Sequence, residues 1–161
     1  MPYEKQGHKM RCYILLIGVL STVDQASKYW MKDLLSFKPL GYDIFPFFKL
    51  HLSTNMGISF SFFSSNSPAT KWAIISVSCL LCMLLFLWLK KSNKTLTKVG
   101  LSLIIGGAIG NIIDRFVSGG VTDFIMLYYN QYYFPTFNGA DIFIFCGVGA
   151  LLLEDMFAKK Q

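Results

Sequence analysis

Residues 72–89 are mostly apolar and carry no charged side chain over eighteen consecutive positions. As an α-helix, at about 1.5 Å per residue, this stretch is about 27 Å long, which is close to the hydrocarbon thickness of a bilayer. Its length and character predict a membrane-spanning helix. The rest of the chain must therefore fold in contact with a bilayer.

The composition of the whole chain agrees with a membrane protein. Of its 161 residues 53% are hydrophobic and 16% aromatic, and the mean hydropathy is +0.47. This length suits one domain. The net charge of +6 would suit a nucleic acid, but the fifteen basic residues form no stripe with interleaved aromatic side chains. We therefore expect no nucleic-acid partner.

Three further apolar segments complete a predicted four-helix bundle. Ser102, Gly106 and Gly110 recur every four residues in the third span, which permits close helix contact. The first segment follows basic residues as a secretory signal does, but no A-x-A-like site ends it, so we expect it to be retained. The prediction is an all-α membrane protein with a single integral membrane domain over residues 1–161 and transmembrane helices at about 11–31, 70–89, 98–116 and 138–157.

The distribution of lysine predicts the orientation of this bundle. Four lysines lie within residues 90–98, whereas residues 116–137 contain neither Lys nor Arg. Because cytoplasmic loops carry the excess of basic residues, we expect both termini and the 90–98 loop in the cytoplasm. Segments 32–69 and 117–137 are then extracytoplasmic.

The first extracytoplasmic segment has the composition of a small sheet. Apolar and polar residues alternate in 48–53 and again in 58–62, which predicts two short strands with a turn at 53–57. We predict a small extracytoplasmic β-sheet cradle that could hold an amphiphilic substrate. An ordinary extracytoplasmic loop is the alternative interpretation.

Polar residues concentrate in 110–141, at the predicted outer end of the bundle. An acid within the bilayer costs roughly 2.5–3.5 kcal/mol on insertion scales, so such residues point to function. Asn111, Asp114 and Arg115 share one helix face at i, i+3 and i+4, and we expect Arg115 to pair with Asp114. Asp24 and Lys28, at i and i+4, form a second expected pair.

Asp123 and Asp141 can converge in this region. Asp123 follows the glycine pair 119–120, which lets the chain turn back, and Asp141 opens the fourth helix with Asn138 near its N-cap. Two carboxyl groups in one water-poor site share a proton, so that one can activate water while the other protonates a carbonyl oxygen. The spacing leaves open the alternative that they are independent acids in the headgroup layer.

Other hydrolytic chemistries lack the residues that they need. His8 and His51 are the two histidines of the chain, and neither an HExxH nor a G-x-S-x-G motif occurs. Cys79 and Cys82 form a CxxC within an apolar run that has no polar neighbours, which argues against a metal or redox site. We therefore expect no metal and no cofactor.

Five short motifs occur in the order of a known family, and together they cover nearly the whole chain. They are Asp24-Gln25-x-x-Lys28, Asn55-x-Gly57, Gly110-Asn111-x-x-Asp114-Arg115, Gly120-Val121-x-Asp123-Phe124 and Phe137-Asn138-x-Ala140-Asp141. With these motifs the chain resembles the bacterial lipoprotein signal peptidases, also called type II signal peptidases. It departs from the usual pattern at Ile58-Ser59, where alanines are expected, and at Ile142, where a serine is common.

The resemblance implies an intramembrane aspartyl endopeptidase with Asp123 and Asp141 as catalytic residues. The implied substrates are diacylglyceryl-modified prolipoproteins, cut N-terminal to the lipid-modified cysteine, and membrane lipids are the other partners. It implies a monomer in the bacterial cytoplasmic (inner) membrane with its active site at the extracytoplasmic face. The implied substrate-binding or supporting residues are Asp24, Lys28, Asn55, Gly57, Asn111, Asp114, Arg115, Asn138 and Ala140.

Two other functional classes remain open from the residues alone. A small polytopic transporter or proton-relay subunit could use the same acids, although these cluster at one end and leave the inner half of the bundle without a relay. A non-catalytic membrane adaptor could pair them with a partner helix. The aromatic residues of 128–134 suggest either a flap over the site or a plain interfacial belt.

Overall fold

The computed structural model describes residues 2–57 and 68–158, with side chains for 10–57 and 68–157. It is mostly helical with a small antiparallel sheet, as predicted. The elements in chain order are α1 (Pro2–Ser36), β1 (Tyr42–Phe45), β2 (Phe48–Asn55), α2 (Pro68–Lys91), α3 (Thr95–Ser118), β3 (Val121–Tyr129), β4 (Tyr132–Tyr133) and α4 (Gly139–Ala158).

Helix α3 forms the centre of the bundle. In the most apolar part of α3, 61% of the residues are buried, against 11% in α2, which therefore lies at the periphery. Small residues let the neighbouring helices approach α3 closely. Gly106 lies against Ile17 and Leu20 of α1, and Gly107 lies against Ala140 of α4. The predicted role of small residues in the third span is confirmed.

Two helices of the described part of the chain, α2 and α3, are long and apolar enough to cross a membrane by length and composition. In α1 the pair Asp24 and Lys28 lowers the hydropathy of an otherwise apolar run, and α4 carries acids near both of its ends. Helix α1 is also longer at both ends than the predicted 11–31.

The sheet has the strand order β1-β2-β3-β4, and every neighbouring pair is antiparallel. The predicted strand over 48–53 is confirmed within β2. The predicted turn at 53–57 is wrong in its first half, because Ser53 to Asn55 continue β2 and pair with β3. The chain bends instead at Gly57, whose φ of 90° favours glycine. The predicted strand over 58–62 lies outside the described residues.

Gly110 is required where α3 meets the polar side chains of α1, and this gives a first testable prediction. A Cβ at this position would overlap the Asp24 carboxylate and lie 2.9 Å from Asp24 Cγ. We expect Gly110→Ala to destabilise the protein by roughly 1–3 kcal/mol, because overpacking displaces neighbouring groups. Gly18→Ala in α1 meets nothing within 4 Å, so it is the matched control and stabilises by up to about 1 kcal/mol. Melting temperatures that shift in the same direction in both variants would contradict this contact.

Candidate active site

A buried cluster of three charged side chains joins α1 to α3. Lys28 Nζ lies 2.7 Å from Asp24 Oδ2 and 3.3 Å from Asp114 Oδ2, and no side chain of the three is more than 4% exposed. The predicted pairing of Asp24 with Lys28 is confirmed. The prediction that Arg115 pairs with Asp114 is wrong, since Lys28 takes that position from a distant part of the sequence.

Each carboxylate of this cluster also anchors a backbone amide next to a candidate catalytic residue. Asp114 Oδ2 accepts a hydrogen bond from the amide of Thr122 at 2.8 Å, and Asp24 Oδ1 accepts one from the amide of Ala140 at 2.9 Å. Thr122 directly precedes Asp123 on β3, and Ala140 directly precedes Asp141 on α4. The cluster therefore positions both candidate aspartates through the backbone.

Asn138 and Asp141 cap the first turn of α4 reciprocally. The amide of Asn138 donates to Asp141 Oδ2 and the amide of Asp141 donates to Asn138 Oδ1, both at 3.1 Å. This is the capping-box arrangement, which satisfies two amides that would otherwise lack partners at a helix N-terminus. The predicted placement of Asn138 at the N-cap is confirmed. The cap fixes the direction of the Asp141 carboxylate.

Asn138 also connects Asp141 to Asp123. The side-chain amide of Asn138 is fully buried, and its Nδ2 donates to Asp123 Oδ1 at 2.7 Å. One residue therefore binds one aspartate through its backbone and the other through its side chain. The two carboxyl groups, which come from a strand and a helix, meet at this single asparagine.

Asn111 completes the network between the charged cluster and the two aspartates. Its Oδ1 accepts from Lys28 Nζ at 2.9 Å, and its Nδ2 donates to Asp141 Oδ1 at 3.0 Å. Because an ammonium group can only donate, Lys28 determines which end of the Asn111 amide faces Asp141. A donor is thus aimed at the side-chain oxygen of Asp141.

Asp123 is in an environment that favours its protonated form. Its side chain is 1% exposed, and burial raises its pKa above the usual aspartate value of 3.8. The hydrogen bond from Asn138 opposes this rise and the nearby Asp141 adds to it. Asp141 is only half-buried. The two carboxyl groups therefore lie in different environments, which suits an acid and a base with separate roles.

The remaining predicted residues border the two aspartates. The side chain of Asn55 approaches Asp123 and lowers the pKa of its carboxyl group, and the amide of Gly57 donates to Asn55 Oδ1 at 2.9 Å. Arg115 Nη1 donates to the backbone oxygen of Asn111 at 3.3 Å, while its Nε is buried without a partner in the described structure. That free donor is available for another group.

Gln25 and Thr122 contribute to the site but were absent from the predicted set. Gln25 Nε2 donates to the backbone oxygen of Gly110 at 3.0 Å and to Asp114 Oδ1 at 3.2 Å. The position of Gln25 between Asp24 and Lys28 in the first motif could have identified it as a site residue. Thr122 acts through its amide, which residue type does not reveal. Within the described ranges, no group of three or more His, Cys, Asp or Glu side chains could hold a metal ion.

Comparisons with known proteins agree with this geometry. Residues 16–157 match the family model described as signal peptidase (SPase) II. The lipoprotein signal peptidase of Bartonella henselae is 45% identical over 149 residues, which cover 88% of this chain and 87% of that protein. The lipoprotein signal peptidase of Aeromonas hydrophila is 38% identical, with 96% and 94% covered.

Two solved structures of bacterial membrane enzymes have the same fold. One has a TM-score of 0.76 at 24% identity and covers 92% of this chain and 89% of that chain. The other has a TM-score of 0.75 at 25% identity, with 89% and 91% covered. The first of these supports the fold alone, whereas the family assignment rests on the sequence matches. The chain belongs to the signal peptidase II family of membrane-embedded aspartic peptidases.

Proposed function

We propose that the chain removes the signal peptide from diacylglyceryl-modified prolipoproteins by cutting N-terminal to the lipid-modified cysteine. The family is a peptidase family, and its curated relatives are named lipoprotein signal peptidases. The observation that carries the proposal is the convergence of Asp123 and Asp141 on Asn138. A carboxyl pair of this kind hydrolyses an amide bond without a covalent intermediate.

In the proposed reaction Asp141 is the base and Asp123 is the acid. Asp141 takes a proton from a water molecule as that water attacks the carbonyl carbon of the scissile bond. Asp123, whose pKa is raised by burial, gives its proton to the carbonyl oxygen. The tetrahedral intermediate then collapses: the C–N bond breaks and the proton held by Asp141 passes to the leaving amine, while Asp123 regains its proton from the intermediate.

Asp123 and Asp141 together form the proposed catalytic dyad. The polar residues around this dyad would bind the substrate backbone. Arg115 Nε is a buried donor without a partner among the described residues, and a substrate carbonyl is a suitable acceptor. Asn55 approaches Asp123 from β2, so the strand that presents Asn55 would also border the substrate. Other residues would hold the dyad in position and would not contact the peptide. These residues are Asp24, Lys28, Asn111, Asp114 and Ala140.

We further propose that all four helices cross the membrane as one domain, with both termini in the cytoplasm. In α1 the polar residues that interrupt the apolar run are buried, so they do not face lipid: Asp24 is 0% and Lys28 is 1% exposed. Apolar side chains on α1 and α4 point outward instead, such as Leu15 (68% exposed) and Phe145 (81%). The lysines of 90–98 support a cytoplasmic position for the loop between α2 and α3.

In this proposed topology the dyad lies at the extracytoplasmic face of the inner membrane. The sheet follows the ends of α1 and α3 that carry the dyad network, opposite to the lysine-rich loop. Aromatic residues of the β3–β4 hairpin are exposed beside it, including Tyr129 and Tyr132. Such residues concentrate at membrane–water interfaces, which favours a belt at the outer surface.

Cleavage of a lipid-modified prolipoprotein by the purified protein tests this function. We expect a mobility shift on a gel for a prolipoprotein that carries the diacylglyceryl group and none for the same protein without it. A cysteine-to-serine version of the substrate, which cannot be lipidated, is the matched control. Cleavage of both forms would contradict lipid-dependent recognition, and cleavage of neither by folded protein would favour the transporter or adaptor alternatives.

A further inference from the structure

The pairing of β2 with β3 changes register directly beside the candidate active site. Leu50 of β2 pairs with Ile125 of β3, but Ser53, three residues further along β2, pairs with Asp123, which is only two residues away on β3. Strand β2 therefore contains one extra residue between these pairs, which is the arrangement of a β-bulge. A bulge redirects the side chains that follow it, and bulges are frequent next to active sites.

This bulge decides which residue of β2 lies opposite Asp123. If β2 continued in the register of Leu50 and Ile125, Leu52 would pair with Asp123, whereas the extra residue puts Ser53 in that place. Directly paired residues of an antiparallel sheet point to the same face, with Cβ atoms about 4.5–5.5 Å apart. The change of register therefore places a hydroxyl group, instead of an apolar side chain, beside the proposed acid.

An independent contact agrees with this assignment of faces. Asn55 follows Ser53 by two residues on β2, and residues two apart on a strand point to the same face. The side chain of Asn55 approaches the carboxyl group of Asp123, as it must if all three residues share a face. Ser53 thus lies on the face of the sheet that meets the dyad.

The hydroxyl group of Ser53 is available to a ligand. Ser53 is half-buried, and its hydroxyl group has no hydrogen-bond partner among the residues that the structure describes. Towards the β3–β4 hairpin, the next pair on the same face is apolar and consists of Leu50 and Ile125. Because a serine hydroxyl can donate and accept, a peptide group beside Asp123 would find a partner in Ser53 whichever of its two polar atoms faced the sheet.

We propose that Ser53 is a substrate-binding residue whose hydroxyl group hydrogen-bonds the peptide backbone of the prolipoprotein next to the scissile bond. This inference rests on the proposed peptidase function and adds a substrate contact to it. Ser53 lies outside the five sequence motifs, so those motifs gave no indication of this role. The small side chain also leaves space beside Asp123 that leucine, the residue of the unshifted register, would occupy.

Steady-state cleavage of a lipid-modified prolipoprotein by Ser53→Ala tests the proposal. We expect KM to rise about three- to tenfold with kcat unchanged, as when one hydrogen bond made equally in the ground and transition states is lost. Ser53→Thr keeps the hydroxyl group and should restore KM to near the native value. Thr54→Val is the matched control, because it removes a hydroxyl group from the next residue of β2, which points to the opposite face.

The pH dependence of kcat separates substrate binding from an effect on Asp123. If Ser53 acted by donating to the Asp123 carboxylate, its removal would raise the pKa of Asp123 and shift the pH profile of kcat to higher pH. We expect Ser53→Ala to have the native profile. A shifted profile, or a fall in kcat with an unchanged KM, would overturn the substrate contact.

Binding without cleavage provides a second measurement. In an Asp141→Asn background, Ser53→Ala should weaken binding of a fluorescently labelled, lipid-modified prolipoprotein by the same factor as KM rises. Unchanged affinity would overturn the role of Ser53 even if the native chain did not cleave. Failure of the folded native chain to cleave would contradict the peptidase function, whereas native cleavage with an unchanged KM in Ser53→Ala would overturn the contact of Ser53 alone.

Discussion

Asp123→Asn and Asp141→Asn are each expected to abolish cleavage of a lipid-modified prolipoprotein. Asparagine keeps the size of the side chain but can neither take a proton from water nor give one to the carbonyl oxygen. General acid–base groups contribute roughly two to four orders of magnitude to rate, so either variant should lie at or below the detection limit of a gel assay. Single-turnover rates with excess enzyme give the most sensitive measurement.

The double variant provides the stronger test of a dyad. Because both carboxyl groups act in the same step, the attack of water on the carbonyl carbon, losing the second after the first should cost little more. Asp33→Asn, an exposed acid on α1, is the matched control and should cleave at the native rate. Additive losses in the double variant would contradict a shared mechanism, and substantial cleavage by either single variant would exclude the aspartyl mechanism. Melting temperatures near the native value establish that the variants are folded.

Local patterns predicted a large part of the helical framework. The helices, the Asp24–Lys28 pair and the N-cap at Asn138 depend on residues within a few positions of one another, and short-range rules describe such features well. The motif order also predicted Asp123 and Asp141 as the catalytic acids. Their convergence on one asparagine is a three-dimensional fact that spacing left open, because residues 123 and 141 belong to different elements.

The features that the sequence did not predict depend on distant contacts. Strand β3 forms because Asp123 pairs in register with Ser53, seventy positions away, so its own residues carried too little information. The expected partner of Asp114 was its neighbour Arg115, but Lys28 occupies that place after the packing of α1 on α3. Thr122 and Ala140 donate their anchoring hydrogen bonds from backbone amides, and the residue type does not predict such bonds.

Lys28→Met is expected to produce the largest loss of stability among single substitutions near the site. Lys28 is 1% exposed and neutralises two carboxylates, Asp24 and Asp114, which are also buried. Removing one partner of a buried ion pair costs roughly 3–5 kcal/mol, since the remaining charge is left without compensation. In a chain of this size that corresponds to a fall in melting temperature on the order of 10 °C.

Two companion variants show whether charge or packing is responsible for that loss. Lys32→Met lies one turn further along α1, where the lysine makes only a long contact of 3.5 Å with Ser118, and it should melt near the native temperature. Adding Asp24→Asn to Lys28→Met removes one unpaired charge, so the double variant should regain part of the lost stability. If packing alone were responsible, the double variant would be no more stable than Lys28→Met.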